Sequence, residues 1–447
     1  MRNQHNKRPL ATLVLACLAF SATAAHAQDD STKSDSSSLQ TSKYLFGDWG
    51  GTRTRLEDKG IKFDFGYGFE AAHNYSGGDR NITRYTDQWK FGAAFDLQKL
   101  WGWNGATFNI VITDRNGHDI GADANIGNNQ LIQEVYGRGQ TWHLTIFSLV
   151  QKFFDDRLTW TIGRLPVGND INQFSCDFQN LTFCGAQPGN IVGDYWANWP
   201  TSQWATVLKF ATTKDTFLQL GAYQVNPKYV DDSYARHNGL KPNFPSGTTG
   251  WLLPLEFGWT PTVNGLPGSY RVGVWYNTSE GNDLYLNEDH QPLAVAGGDP
   301  LQHDSRRGAW ITFQQQVTGE AGGKGTTVFL NVTSADHATS ATNNQIALGM
   351  EYKGIFDRPN DFVGAALGAS HANGYAAKNQ RLINALNPGG PQGIINDGYE
   401  KVAEVFYSWS PIPSIAIRPN LQYIKDPGGS KQNDDAFVLG LKTSIAF

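Results

Sequence analysis

The chain has 447 residues, 36 basic and 41 acidic side chains, and a formal net charge of −5. Charged residues make up only 17% of it, below the roughly 25% usual for a soluble domain. With no basic stripe, nucleic acid is excluded as a partner. The 49 Gly, 14 Trp and 2 Met suit strands and turns better than helices.

Residues 1–27 read as a signal peptide. Basic MRNQHNKR precedes apolar PLATLVLACLAFSATAA, and Ala25-His26-Ala27 supplies the cleavage pattern. A second reading places a lipoprotein cleavage site at Cys17. Residues 28–43, rich in Ser and Asp, are expected to be disordered. Residues 44–60 form a short N-terminal periplasmic helical element. Thr52 is expected to cap a helix over 53–59, with Gly60 at its C-terminal end.

From Ile61 the pattern alternates. Ile61, Phe63, Phe65, Tyr67 and Phe69 share one face, and Lys62, Asp64 and Glu70 share the other. Sixteen such strands are predicted: 61–73, 84–97, 105–114, 141–152, 157–165, 203–212, 216–224, 251–260, 269–278, 308–317, 325–333, 345–353, 361–371, 400–410, 413–424 and 436–447. Most are near the ~9–11 residues that cross a bilayer at a tilt. The mature chain has no apolar run long enough for a transmembrane helix. Connections alternate between short (153–156, 213–215, 318–324, 411–412) and long (115–140, 166–202, 225–250, 279–307, 372–399). That alternation predicts an all-β fold: a 16-stranded transmembrane antiparallel barrel over 61–447, in the outer membrane of a Gram-negative bacterium. Trp101, Trp103, Trp142, Trp251, Trp259 and Trp409 fall near strand ends, where rings with one wet edge favour the membrane interface. The last strand, AFVLGLKTSIAF, pairs with the first and closes the sheet. Its Phe447 is expected to be read by the outer-membrane assembly machinery.

A sixteen-stranded barrel leaves room for an aqueous channel. The connection 166–202 is too long for a mere link and is expected to enter the lumen and narrow it. Within it, Cys176 and Cys184 are either a disulfide or two free thiols. Tyr195, Trp196 and Trp199 are candidate platforms for the apolar faces of sugars, or else pack the loop against the wall. Asn169 and Asp170 are candidates for hydroxyl contacts. Alternation puts Lys62, Asp64, Glu70, Lys90, Arg271, Glu404, Arg418 and Lys442 in the lumen, with Arg115 just beyond its strand. Glu70, Lys90 and Arg115 join the candidate sugar contacts. So does Arg164, although strict alternation puts it on the lipid side. Mixed charge suits a neutral polar solute better than an ion. No metal motif and no nucleophile–base arrangement is found, so no enzyme activity, metal or cofactor is expected. The alternatives are a general porin without sugar preference and an outer-membrane adhesin or enzyme.

Three stretches resemble the carbohydrate-selective porins of the OprB type: YLFGDWGGTRTRLEDKGIKFDFGY (44–67), GRLPVGNDINQFSCDFQNLTFCG (163–185) with WANWPTSQW (196–204), and EVFYSWSPIPSIAIRPNLQYIKDPGG (404–429). The resemblance runs over roughly 44–447. It implies a passive outer-membrane porin, often a homotrimer, that passes glucose and related mono- or oligosaccharides.

Overall fold

The first and last strands are hydrogen-bonded to each other. Gly66 lies opposite Ala446 and Asn74 opposite Val438, in antiparallel register. The computed structural model describes residues 39–447, so the signal peptide and most of the polar segment 28–43 lie outside them. Sixteen strands follow the chain in order around the closed sheet: Ile61–Ser76, Thr83–Asp96, Ala106–Gly117, Trp142–Phe153, Leu158–Leu165, Gln203–Ala211, Thr216–Val225, Gly250–Trp259, Leu266–Asn277, Arg306–Gln316, Gly325–Ala335, Thr342–Lys353, Phe362–Ala372, Tyr399–Ile412, Ile415–Lys425 and Ala436–Ala446. All sixteen expected strands are present. The last short turn is Pro413-Ser414 rather than 411–412, because Pro411 and Ile412 remain in the preceding strand.

Alternation sorts the two faces. In Gly250–Trp259 the side chains of Trp251, Leu253, Leu255, Phe257 and Trp259 are exposed on the outer wall, while Leu252 and Glu256 are fully buried inside. This is the apolar-out, polar-in pattern of a membrane barrel. Trp101, Trp103, Trp142, Trp251, Trp259 and Trp409 are all exposed, as interfacial girdles require.

The N-terminal helix spans Thr52–Asp58. Thr52 is its first helical residue and does not cap it. The capping role falls to Asp48, whose Oδ1 accepts from the Thr54 N–H at 2.8 Å. Gly60 has φ +92°, as expected of a chain reversal before the first strand. The element packs outside the barrel. Trp49 lies against Phe63 and Phe65, Phe46 stacks on Phe447 at 5.1 Å, and the Leu45 N–H bonds to the Ala446 oxygen at 2.7 Å.

The long connections carry structure of their own. Gly281–Asn287 pairs with Pro300–His303, and a thirteen-residue helix, Gly374–Leu386, is capped by Asn373. The two outer connections touch where the Ala294 N–H bonds to Asn379 Oδ1.

Candidate functional site

Two long connections fold into the barrel and meet there. Glu134 N donates to Gln179 O at 3.0 Å, and Leu181 N to Leu131 O at 2.9 Å. Connection 118–141 therefore joins 166–202 in narrowing the lumen. The sequence reading expected only the second, because 118–141 has no cysteine and, besides Tyr136, none of the aromatic rings that mark its neighbour.

Four buried wall glutamates hold these connections by their main chain. Glu404 takes the N–H groups of Gln179 and Asn180, each at 2.8 Å. Glu256 takes Asn172 N at 2.8 Å, Glu70 takes Val135 N at 3.1 Å, and Glu400 takes Gln130 N at 3.0 Å together with Asn129 N. A carboxylate accepting N–H groups makes a charge-assisted bond, and a carboxylate buried without such partners is costly. The polar residues at 0–1% exposure on this inner wall thus fix a shelf rather than line open water.

Cys176 and Cys184 are joined by a disulfide in the structure. It ties the tip whose Asp177 pairs with Arg418 at 3.2 Å and whose Phe178 oxygen accepts from Lys442 at 2.9 Å. Glu134 lies beside both sulfurs, but the disulfide occupies them.

The expected sugar contacts separate into groups. Trp196 is fully buried, edge-on to Trp275 at 5.6 Å and Trp310 at 5.5 Å. Those wall rings lie across glycines: a Cβ at Gly273 would come within 2.1 Å of Trp310, and one at Gly308 within 2.1 Å of Trp275. The indole of Trp275 donates to the Tyr195 hydroxyl at 3.0 Å, and Arg306 covers the Tyr195 ring at 4.1 Å. Tyr195 and Trp196 therefore pack the loop to the wall and have no open ring face. Glu70 is likewise buried, held by Val135 N and by Lys442 at 3.3 Å. Lys90 pairs with Asp64. Arg164 follows strict alternation: it bonds the oxygens of Ser202 and Lys241 and covers Tyr229, under an outer connection and away from the lumen.

Arg115 and Trp199 are brought together. Arg115 Nε and Trp199 Nε1 both donate to Gln88 Oε1 at 2.8 Å. Arg115 also holds the oxygens of Glu134 and Tyr136, and its guanidinium is 3.8 Å from the Glu134 carboxylate. Trp199, Glu134 and Arg138 remain half-buried around this junction.

The shelf edge 173–177, Gln-Phe-Ser-Cys-Asp, is half-buried throughout, between the fully buried Asn172 and Phe178. Phe174 there packs edge-on to Phe329 at 5.2 Å, and Arg271 bridges Gln173 and Glu256 at 3.2 and 3.1 Å. Asn169 is exposed and donates to the half-buried Asp170 at 3.2 Å. Burial raises the Asp170 carboxyl above its ordinary value, against the pull of that amide. Phe174, Glu134 and Arg138 were missed by the sequence reading. Single residues in irregular connections carry no period that would reveal them.

The model of the carbohydrate-selective porin family OprB matches residues 80–447. The chain belongs to the OprB family. It is 42% identical over 423 residues to Porin B of Pseudomonas aeruginosa, covering 91% of this chain and 92% of that one. It is 35% identical over 430 residues to the putative porin QuiX of Acinetobacter baylyi, covering 91% and 94%. The high-pH structure of Pseudomonas putida OprB superposes with a TM-score of 0.87 at 42% identity, covering 91% of this chain and 99% of that one. Membership makes this OprB-family chain a porin, a channel of the Gram-negative outer membrane.

Proposed function

We propose that this porin passes glucose and similar neutral sugars through the eyelet between connections 118–141 and 166–202. The observation that carries the reading is the junction of Arg115, Trp199 and Gln88 beside Glu134 and Arg138. It sets one half-open aromatic ring among groups of both signs. A sugar offers an apolar ring face and a rim of hydroxyls, and this set answers both. Mixed charge binds a neutral polyol weakly enough for release, which conduction requires. Elsewhere on connection 166–202, Asn169, Asp170 and Phe174 add further exposed or half-buried polar and aromatic groups.

The test is ion current through single channels in a planar bilayer, with glucose titrated in. Saturable block, weakened by Trp199→Ala or Glu134→Gln, supports the reading. Steady current without block returns the protein to a general diffusion porin.

The partner reading extends to a homotrimer. Rings on the outer wall near the seam form a run: Phe447 to Trp89 at 5.8 Å, Trp89 to Phe91 at 6.0 Å, and Phe91 to Trp142 at 6.1 Å. A flat aromatic surface of this kind suits contact with a second copy. The mass in mild detergent tests it, and a monomer mass rejects it. Recognition of Phe447 by assembly machinery is tested by Phe447→Ala, which should lower the yield of folded barrel.

A further inference from the structure

The long connection 226–249, between the seventh and eighth strands, turns outward and not into the lumen. The Leu144 N–H donates to the Gly239 oxygen at 2.7 Å, and the Arg164 guanidinium donates to the Lys241 oxygen at 3.3 Å. The Trp204 indole donates to the Asn243 oxygen at 2.9 Å, and the Phe244 ring stacks on that indole at 5.8 Å. Leu144, Arg164 and Trp204 stand at the outer ends of the fourth, fifth and sixth strands. Alternation points Arg164 and Trp204 away from the lumen. The connection therefore lies against the outside of the barrel at its outer rim.

Two of its apolar side chains are left uncovered there: Leu240 is 49% exposed and Phe244 65%. Trp142 and Trp251, exposed at the outer ends of the fourth and eighth strands, mark the membrane interface on either side. Two lysines stand with these groups. Lys241 donates to Asn238 Oδ1 at 2.9 Å. Lys228 donates to Ser246 Oγ at 3.2 Å and lies over the Tyr234 ring at 5.9 Å. The Tyr234 hydroxyl in turn accepts from Asn243 at 2.8 Å, next to Phe244. Both ammonium groups thus bond neutral acceptors.

Acids are set apart from this edge. Residues 236–250, RHNGLKPNFPSGTTG, hold Arg236, His237 and Lys241 and no carboxylate. The fourth to eighth strands hold one acid, Glu256, which is buried inside the barrel. Of the two acids on the connection, Asp231 caps the helix Asp232–Asn238 through the Tyr234 N–H at 2.5 Å. Asp232 stands near Arg138, which bonds the Gly193 oxygen of the inward connection. On the flanks, Asp114 lies opposite Trp142 and accepts from Asn116 at 3.1 Å, and Glu280 follows the ninth strand.

We propose that this outward connection binds a phosphorylated lipid of the outer leaflet. Leu240 and Phe244 meet its acyl chains, and Lys228 and Lys241 meet its phosphate oxygens. Charge and position select this occupant. The edge stands at the interface of an outer-membrane barrel, and lysines beside a membrane surface attract anionic headgroups. A second copy meeting this face with its own would set like charges opposite each other.

The experiment is native mass spectrometry of the whole folded porin in mild detergent, titrated with bisphosphoryl lipid A and with the same lipid stripped of its phosphates. Wild type should bind the phosphorylated form at least about fivefold more tightly. Lys228→Gln/Lys241→Gln should weaken that form about tenfold and leave the stripped form unchanged. Phe244→Ala should weaken both forms. If the double variant fails to fold, Lys241→Gln alone carries the test, with an expected loss of about threefold. Equal binding of the two forms by wild type, lysine variants that bind as wild type does, or Phe244→Ala without effect overturns the proposal. Displacement of the lipid by excess inorganic phosphate overturns it in favour of a free-phosphate site. Crosslinks between Lys241 residues of two copies overturn it in favour of a contact between porins.

Discussion

Arg53 donates from Nη2 to the main-chain oxygen of Phe447 at 2.6 Å, and from Nη1 to the Phe63 oxygen at 3.0 Å. One guanidinium thus clamps the two strands whose pairing closes the barrel. The rings of Tyr44 and Trp49 enclose it at 3.7 and 4.3 Å. Hydrogen bonds to a charged group contribute about 1.5–3 kcal/mol each. Arg53→Ala should lower the temperature at which the folded band converts to the unfolded one on a gel, with conductance of the folded channel unchanged. An unshifted conversion would show that the outer element is ornamental to the seam.

The anchoring of the shelf predicts a graded pair of variants. Glu404→Ala leaves the Gln179 and Asn180 N–H groups without an acceptor, whereas Glu404→Gln retains one acceptor oxygen. Single-channel conductance and current noise should rise in the alanine variant and fall between in the glutamine variant. Equal conductance in all three would mean that the shelf stands without this carboxylate.

Two tryptophans in one loop should behave differently. Trp196 is walled in by Trp275 and Trp310, so Trp196→Ala opens a cavity and should cost about 3–5 kcal/mol of stability. Trp199 is half-buried, and its indole nitrogen donates to Gln88. Trp199→Ala should weaken glucose block with a smaller loss of stability. Denaturation midpoints read beside glucose titrations separate the two roles.

The reach of the sequence follows from what repeats and what does not. Strands were legible because alternation recurs in every one and closure leaves no edge to hide. The disulfide-tied connection was legible from its length and its cysteines. The roles inside the lumen were not. Glu70 and Trp196 read as contacts because alternation and composition put them there, yet a second connection, 118–141, folds over Glu70, and Trp196 turns against the wall rings of Trp275 and Trp310. Which inward residue meets water depends on where the connections settle, and that is tertiary information. The outer hairpin at Gly281–Asn287 and the helix at Gly374–Leu386 were passed over as loop for a related reason: the short–long spacing identifies a connection without describing its interior.

The disulfide predicts a change in stability more than in permeation. It closes a loop with a sequence separation of eight, which by chain entropy contributes about 2.5 kcal/mol. Cys176→Ser/Cys184→Ser should lower the resistance of the tip to protease. Conductance should change little, because Glu404, Lys442 and Arg418 still hold the tip.

An outer connection supplies a pH dependence. Asp283 is buried, which by itself raises its carboxyl. Bonds from His303 and from the Leu286 and Tyr285 N–H groups outweigh that and hold it below the ordinary value. A carboxyl lowered on folding adds stability above its unfolded value of about 3.9 and loses it as pH falls through the folded value. Hydrogen-exchange protection at Tyr285 and Leu286 should therefore persist at neutral pH and fade below about pH 4. Asp283→Asn should remove that dependence, and an unchanged profile in the variant would assign it elsewhere.

The wall glutamates grip the inward connections by peptide N–H groups, which every residue but proline possesses. The side chains of Gln173, Phe174 and Ser175 carry little of that attachment, standing between Asn172 and the pinned tip at Cys176–Asn180. This stretch can be rewritten as a cassette: its letters can change from one porin to another while the bolts beneath stay in place. A new solute preference would then require a few substitutions on a fixed frame and no new barrel.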